Sequence, residues 1–242
     1  MTEKKTGTYE WAPAKESCCY GCPNDCQYCY SRKIAERFHR EDPCTWAIMH
    51  PNLKKQPKKH KGRVFFPTSH DLPYKHVDWW FPYLLRLLEL GNDILIVTKP
   101  ELDSVIHMAD NLEAFKDHIE FRFTIGTNDE KVRQYWEPGA PSIEERMQAA
   151  CWAGLCGYRT SVSMEPLLMK DPVPFITELE KNVKGEIWIG CMNHMKFDPA
   201  VPEHARQMEI QSRENMKLIW DRTHIDPQVR YKDSVRDLLG LV

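Results

Sequence analysis

Short apolar segments alternate with helical patterns along this chain, and the alternation restricts the folds that it can adopt. The apolar segments are VFFPT (64–68), DILIVT (93–98), FRFTIGT (121–127), YRTSVSM (158–164) and EIWIGCM (186–192). Several of them are apolar at both odd and even positions, which is typical of parallel strands buried on both faces. We therefore predict an α/β protein in which repeated strand–helix units surround a parallel sheet, closed or partly closed.

Helical patterns fill the intervals between these strands. They begin at Cys29, Asp78, Pro100, Ser142 and Asp171, and the first is expected to stop at Asp42–Pro43. Ser142 and Glu145 form a capping box, in which each side chain satisfies a free backbone N–H group. A first strand is expected between Tyr9 and Lys15, although Pro13 interrupts it. We predict about six strand–helix units in a single domain (1–242), with a core of about residues 9–195 and a C-terminal helical extension of about residues 200–242.

The composition argues against several classes of protein. The N-terminal segment is polar, and the longest apolar runs are far shorter than the ~20 residues that span a bilayer. We therefore expect a cytoplasmic protein without a membrane partner. The formal net charge of -2 predicts no general attraction to nucleic acids. The nine cysteines, an odd number, indicate metal binding or catalysis rather than disulfides.

Five of the cysteines lie in CCYGCPNDCQYC, residues 18–29. Cys22, Cys26 and Cys29 have the spacing C-x3-C-x2-C, and three thiolates on one loop can hold three irons of a 4Fe-4S cluster. The fourth iron would then be open to a small chelating ligand. Cys18 and Cys19 could compete as ligands. A zinc site and a loop that is thiol-rich by chance are the alternatives to this open cluster.

The same segment resembles the signature of a known family. CPNDCQYC (22–29) matches C-x3-C-x-aromatic-C, the signature of the radical S-adenosylmethionine family. Later segments resemble, in order, the branch that contains spore photoproduct lyase, and the likeness covers roughly residues 16–195. These segments are FPTSHDL, ILIVTKP, FTIGTND, WEPGAPSIEER, TSVSMEPLL and IWIGCMNH. The resemblance implies a partial (β/α)6 barrel with the cluster at its C-terminal mouth.

The resemblance also implies a reaction. In this family S-adenosylmethionine binds the open iron, and one electron from the cluster cleaves it to methionine and a 5'-deoxyadenosyl radical. The radical takes a hydrogen atom from a substrate, here a small-molecule or nucleotide-like compound. A flavodoxin- or ferredoxin-type protein would be the reductant. The resemblance leaves the subclass open between lyase, isomerase and oxidoreductase.

Polar residues at the carboxyl ends of the predicted strands are the candidates for cofactor and substrate contacts. The expected cofactor-binding residues are Tyr28 (adenine), Ser69 and Asp71 (methionine amino group), Lys99 (methionine carboxylate), Thr124, Thr127 and Asn128 (ribose), and Ser163 and Glu165 (ribose or substrate hydroxyls). Lys99 and Cys191 are the candidate catalytic residues, since a thiol at Cys191 could return a hydrogen atom to a product radical. A solvated lysine and a buried apolar cysteine are the alternatives for these two.

Two features bear on the choice of substrate. The run LKKQPKKHKGR, residues 53–63, is the one concentration of positive charge, and it could contact a nucleic acid or be a solvated loop. Spore photoproduct lyase has a hydrogen-donating cysteine near the segment that corresponds to FPTSHDL, which contains none here. Repair of a DNA photolesion is therefore the secondary hypothesis. Two non-enzymatic alternatives remain: an iron–sulfur electron carrier or redox sensor, and a zinc-binding module.

Overall fold

The computed structural model describes residues 6–38 and 43–241, and a parallel sheet organises them. The sheet has seven strands in the order β1-β4-β5-β6-β7-β8-β9, and every neighbouring pair is parallel. The strands are β1 (Ala14–Lys15), β4 (Val64–Phe66), β5 (Ile94–Thr98), β6 (Ile119–Thr124), β7 (Arg159–Met164), β8 (Ile187–Ile189) and β9 (Val229–Tyr231). The predicted α/β fold with a parallel sheet is confirmed. The short strands β2 (Cys19–Tyr20) and β3 (His50–Pro51) form a separate antiparallel pair.

Helices connect the strands of the sheet. They are α1 (Tyr30–Arg37), α2 (Val77–Glu89), α3 (Leu102–Asn111), α4 (Glu130–Trp136), α5 (Ile143–Leu155), α6 (Val173–Leu179), α7 (Pro202–Ile210), α8 (Arg213–Thr223) and α9 (Asp233–Leu239). The Ser142 hydroxyl accepts a hydrogen bond from the Glu145 amide (3.1 Å), as predicted. The Glu145 carboxylate instead accepts from the amide of Leu102 (3.1 Å). Asp42, where the first helix was expected to stop, lies outside the described residues.

Two elements differ from the expectation. The first strand contains only two residues, because Pro13 has no N–H group to donate, and residues Gly7–Glu10 before it form a 3-10 helix. The C-terminal segment contains the three helices α7, α8 and α9, but it also contributes β9, which pairs with β8 as a seventh strand. Its three residues, Val229 to Tyr231, are too short to produce a clear periodicity in the sequence.

The two faces of the sheet bury different side chains. One face packs against the helices in the large hydrophobic core, with Val64, Phe66, Ile94, Ile96, Phe121 and Phe123 among its members. The opposite face carries a smaller apolar group of Trp11, Phe65 and Leu95. Beside that group lies Arg122, which donates to Ser161 Oγ (3.0 Å) and lies 4.8 Å from the Trp11 ring. Charged and aromatic residues therefore fill the second face.

The first and the last segments of the described residues meet beside the β9 edge of the sheet. The buried Lys232, which follows β9, lies 2.8 Å from the Glu10 carboxylate, and Arg236 pairs with the same carboxylate. Asp233 accepts a hydrogen bond from the Gly7 amide (2.9 Å). Ion pairs and hydrogen bonds thus hold the N-terminal 3-10 helix against the C-terminal strand. Within residues 6–38 and 43–241, no helix is both long and apolar enough to cross a bilayer.

Candidate active site

A cavity of about 450 Å³ opens at the carboxyl ends of the parallel strands. The loop that carries the three predicted cluster ligands forms one part of its wall, and residues that end β4 to β8 form much of the rest. The predicted residues on the wall are Cys22, Cys26, Tyr28, Cys29, Ser69, Asp71, Lys99, Thr124, Ser163, Glu165 and Cys191. The fold therefore brings residues that are up to 169 positions apart, from Cys22 to Cys191, to one site.

Two predicted ribose ligands lie elsewhere. Thr127 is buried, and its Oγ1 accepts a hydrogen bond from the Asp129 amide (3.1 Å) at the start of α4. Asn128 is exposed in the same turn. Neither residue lines the cavity. The reason is that β6 ends at Thr124 and the chain then turns into α4. Of the three residues assigned to ribose alone, only Thr124 is on the wall.

Backbone hydrogen bonds from two other segments support the cysteine loop. The Cys22 amide donates to Trp46 O (2.8 Å), and the Gln27 amide donates to Trp136 O (2.9 Å). Gly139 packs directly on the loop, since a Cβ atom at this position would lie 2.0 Å from Pro23 O. The WEPGAPSIEER segment, which in the sequence carries only a resemblance to the family, therefore supports the cysteine loop.

The three thiols can serve as ligands to a metal cluster. Burial raises the pKa of Cys26 to about 12, and it also raises the pKa values of Cys22 and Cys29. Asp71, Cys26 and Cys29 further raise the pKa of Cys22, while the Lys99 cation lowers the pKa of Cys26. Metal binding at this loop must therefore displace thiol protons. A set of three sulfur ligands suits an iron–sulfur cluster.

Asp71 connects the cysteine loop to two strands of the sheet. Its Oδ2 accepts hydrogen bonds from Asn24 Nδ2 (2.7 Å) and from the Lys99 amide (3.0 Å). Its Oδ1 accepts from the Leu72 amide (2.8 Å) and from the Thr98 hydroxyl. Four donors thus occupy the carboxylate that was expected to bind a methionine amino group. These contacts make Asp71 a residue that positions the wall of the cavity.

Glu137 is a buried carboxylate that the sequence analysis did not select. It accepts a hydrogen bond from the Tyr28 hydroxyl, and it lies 2.6 Å from Arg146 Nη1 and 3.9 Å from Lys99 Nζ. Burial alone would raise its pKa, but the charges of Arg146 and Lys99 hold the pKa of Glu137 below its usual value. Lys99 Nζ also lies 5.5 Å from the centre of the Tyr28 ring. Glu137 thus orients both predicted cofactor-binding residues.

The far side of the cavity contains a second charged group. Glu165 follows β7, and its carboxylate lies 3.9 Å from Lys232 Nζ. Burial raises the pKa of Glu165 to about 7, although Lys232 acts in the opposite direction. Lys232 is not among the predicted site residues, because the short strand β9 is not predicted from the sequence. Had that strand been recognised, the rule that ligands follow strand ends would have selected this lysine.

Cys191 lies on the same side of the cavity, directly after Gly190 at the end of β8. Its amide donates a hydrogen bond to Ser234 Oγ (3.1 Å), which positions the residue. Burial raises the pKa of Cys191 to about 12, so the side chain is a protonated thiol at neutral pH. The remaining cysteines, Cys44, Cys151 and Cys156, do not line this cavity.

The basic run at residues 53–63 is partly neutralised within the fold. Lys55 and His60 each lie 2.6 Å from the buried Glu16 carboxylate, and Arg63 pairs with Glu120 at 2.6 Å. Lys59 donates to the backbone oxygen of Gly91. The exposed cations of this run are Lys54, Lys58, Lys59 and Lys61. Fewer charges are therefore available for phosphate contacts than the sequence indicates.

Comparisons with known proteins establish the fold. No protein-family model matches the chain. ORF301, an uncharacterized protein of Acidianus two-tailed virus, is 27% identical over 229 residues, which cover 86% of this chain and 72% of that protein. Spore photoproduct lyase complexed with dinucleoside spore photoproduct is 15% identical with a TM-score of 0.61, over 95% of this chain and 79% of the lyase.

A second solved structure, a double mutant of the lyase with bound AdoMet and dinucleoside spore photoproduct, is 14% identical with a TM-score of 0.58. The alignment covers 90% of this chain and 75% of the mutant lyase chain. The protein therefore has the fold of spore photoproduct lyase, and the resemblance to this branch of the radical S-adenosylmethionine family is confirmed at the level of the fold.

Replacing Glu137 tests the buried network beside the cysteine loop. Glu137→Gln removes one partner of a fully buried ion pair and leaves the Arg146 cation uncompensated. We expect the free energy of unfolding, measured by urea denaturation, to fall by about 3 to 5 kcal/mol. Glu209→Gln, which removes an exposed pair with Lys170, is the control and should cost less than about 1 kcal/mol. Equal losses for the two variants would contradict this account.

Glu165 should make the stability depend on pH in a defined direction. Its folded pKa of about 7 lies above the ordinary value of 4.5, so the unfolded chain releases this proton first as the pH rises. The protonated carboxyl stabilises the folded state, and this contribution to the unfolding free energy is complete below pH 4.5. It is lost as the pH rises to about 7.

We expect the wild-type protein to lose about 1 to 3 kcal/mol more unfolding free energy over this range than Glu165→Gln. Denaturation midpoints measured at several pH values would show the difference. Glu214→Gln, at an exposed position, should follow the wild-type curve. An identical pH dependence for wild type and Glu165→Gln would refute the assignment.

Proposed function

We propose that the protein is a radical S-adenosylmethionine enzyme. Cys22, Cys26 and Cys29 would hold a 4Fe-4S cluster, and S-adenosylmethionine would bind in the cavity beside it. The observation that supports this most strongly is the position of the three-cysteine loop at the carboxyl ends of the strands, on the wall of a cavity. Polar and charged residues share that wall with the three thiols, so the site can hold more than a cluster.

The set of three cysteine ligands gives the cavity a function, which is to hold a ligand of the cluster. A cluster held by three cysteines keeps one iron available to a ligand, and the cavity provides the space for that ligand. When bound, the cluster supplies one electron that cleaves S-adenosylmethionine to methionine and a 5'-deoxyadenosyl radical. An electron carrier would require no such cavity. This favours the enzyme over the carrier and over a zinc-binding module.

The residues around the cavity have roles that follow from their contacts. Lys99 is a partly buried cation that pairs with Glu137, and its positive charge suits a carboxylate ligand. The hydroxyls of Ser69, Thr124 and Ser163 can bind the polar groups of S-adenosylmethionine. The Tyr28 ring is fixed by its hydrogen bond to Glu137, and we propose that it packs against the adenine ring. Thr124 and Ser163 are buried, and Ser69, Lys99 and Tyr28 are partly buried, which limits the contact of these groups with water.

The substrate side of the cavity would contain Glu165 and Cys191. Glu165 has no hydrogen-bond partner among the described residues, so its carboxyl is available to a substrate hydroxyl or N–H group. Cys191 keeps its thiol hydrogen at neutral pH and can transfer it to a carbon radical. In this step the S–H bond breaks, a C–H bond forms and a thiyl radical remains on the sulfur.

We propose a small-molecule or nucleotide-like substrate. The matched lyase structures contain dinucleoside spore photoproduct, which is a nucleotide-like molecule. A nucleic acid that contacts the exposed lysines of residues 53–63 is a weaker alternative, because several charges of that run are paired internally. Repair of a DNA photolesion remains the secondary function. A cytoplasmic location and a flavodoxin- or ferredoxin-type reductant complete the proposal.

Anaerobic reconstitution tests the function directly. The wild-type protein with iron, sulfide and dithionite should become brown and release 5'-deoxyadenosine from S-adenosylmethionine. Cys26→Ala should lose the colour and the cleavage together, because one of three cluster ligands is missing. Cys151→Ala, a cysteine of α5 away from the cavity, should retain both. A cluster with four protein ligands and no cleavage would indicate an electron carrier, and a colourless protein would indicate a zinc module.

The role of Cys191 is tested in heavy water with the unlabelled form of a substrate whose deuterated form passes its label to 5'-deoxyadenosine. A deuterated nucleotide or nucleic acid is the first candidate. Because thiol hydrogens exchange with solvent, the wild-type product should acquire one deuterium from heavy water at the radical carbon. Cys191→Ala should still cleave S-adenosylmethionine but should not deliver solvent deuterium to the product. Mass spectrometry of the product distinguishes the two results, and solvent deuterium in the variant's product would exclude Cys191 as the donor.

A further inference from the structure

Three buried metal-ligand side chains lie together beside the cluster loop but outside its C-x3-C-x2-C set. They are Cys18, Cys19 and His70, and their donor atoms all lie within 4.8 Å of one another. Each residue is at least nine-tenths buried. Two thiols and an imidazole are the donor types that bind zinc in proteins.

The distances between these atoms fit one metal ion. Cys18 Sγ lies 3.8 Å from Cys19 Sγ and 3.6 Å from His70 Nε2. With Zn–S bonds of about 2.3 Å and Zn–N bonds of about 2.0 to 2.1 Å, tetrahedral angles separate two sulfurs by about 3.8 Å and a sulfur and a nitrogen by about 3.6 Å. Both measured distances agree with these values. The third distance, from Cys19 Sγ to the imidazole donor atom, is no more than 4.8 Å.

The hydrogen bonds of His70 select the tautomer that a metal needs. Nδ1 lies 2.7 Å from Asp71 O, and because a carbonyl oxygen only accepts, Nδ1 must carry the proton. The lone pair of Nε2 therefore points toward the two cysteines. Metal-binding histidines commonly donate their other ring N–H to a backbone carbonyl in this way, which fixes the ring.

One contact in the structure competes for that lone pair. The Cys18 amide donates a hydrogen bond to His70 Nε2 at 3.1 Å. A hydrogen bond between neutral groups is much weaker than a zinc–nitrogen bond, so zinc would displace it. The amide hydrogen would then be free to bond to a thiolate sulfur.

We propose that Cys18, Cys19 and His70 form a zinc site that is separate from the cluster loop. Binding releases the two thiol protons to solvent, and water or another small ligand takes the fourth position, as in other zinc sites with three protein ligands. Cys19 belongs to β2, which pairs with β3, whereas His70 follows β4 of the large sheet. Zinc would therefore join the start of the cysteine loop to the loop after β4, at the cavity wall to which His70 contributes.

The test keeps zinc away from the cluster ligands. The triple variant Cys22→Ala/Cys26→Ala/Cys29→Ala is reduced, loaded with zinc and passed through a desalting column, and its zinc is measured by mass spectrometry. We expect about one zinc ion per chain to be retained. Adding Cys18→Ser/Cys19→Ser should abolish retention, whereas adding the matched pair Cys151→Ser/Cys156→Ser should not. Failure of the triple variant to retain zinc, or equal retention after the Cys18 and Cys19 changes, would overturn the proposal.

A second measurement identifies the zinc ligands without replacing Cys18, Cys19 or His70. Zinc-edge X-ray absorption on the zinc-loaded triple variant should show two sulfur neighbours at about 2.3 Å and a nitrogen neighbour at about 2.0 to 2.1 Å. A first shell without sulfur would overturn the proposal. If the triple variant does not fold, the same spectrum is recorded on the wild-type chain after iron–sulfur loading, when iron occupies the other cysteines. These results do not depend on cleavage of S-adenosylmethionine.

Discussion

The need to compensate buried charge holds the candidate site together. A carboxylate removed from water is tolerated only when cations or hydrogen-bond donors surround it, so each such carboxylate dictates which chain segments must meet around it. Glu137 satisfies this need with Arg146, Lys99 and Tyr28. These partners come from α5, from the end of β5 and from the cysteine loop. The network therefore fixes the cysteine loop relative to the sheet.

The buried carboxylate of Asp71, in the loop after β4, is likewise compensated by donors from several segments. Its four donors lie in the cysteine loop, at the end of β5 and in its own loop after β4. On the opposite side of the cavity, Lys232 joins Glu10 at one end of the chain to Glu165 at the end of β7. The cavity wall is thus a set of separate loops joined by charged and polar contacts. The apolar core beneath them supplies the rigid support.

Much of this arrangement could be predicted because it depends on local pattern. Parallel strands buried on both faces require apolar residues at consecutive positions, and segments such as ILIVT show this without any alignment. The rule that ligands follow the ends of such strands then selected Ser69, Lys99, Thr124, Ser163, Glu165 and Cys191, all of which line the cavity. The same rule selected Thr127 and Asn128, which do not line the cavity, because it does not specify where the chain turns away from the wall.

The sequence by itself determined the order of strands and helices and the spacing of the three cysteines, because hydrophobic periodicity and ligand spacing are local properties of the chain. Only the tertiary structure decided which distant residues meet. The pairing of Glu137 with Arg146 and Lys99, the addition of β9 with Lys232, and the grouping of Cys18 and Cys19 with His70 depend on how the loops fold over the sheet. Such contacts leave no periodic signal, because a charge is paired in space by whichever segment the fold brings within a few ångströms.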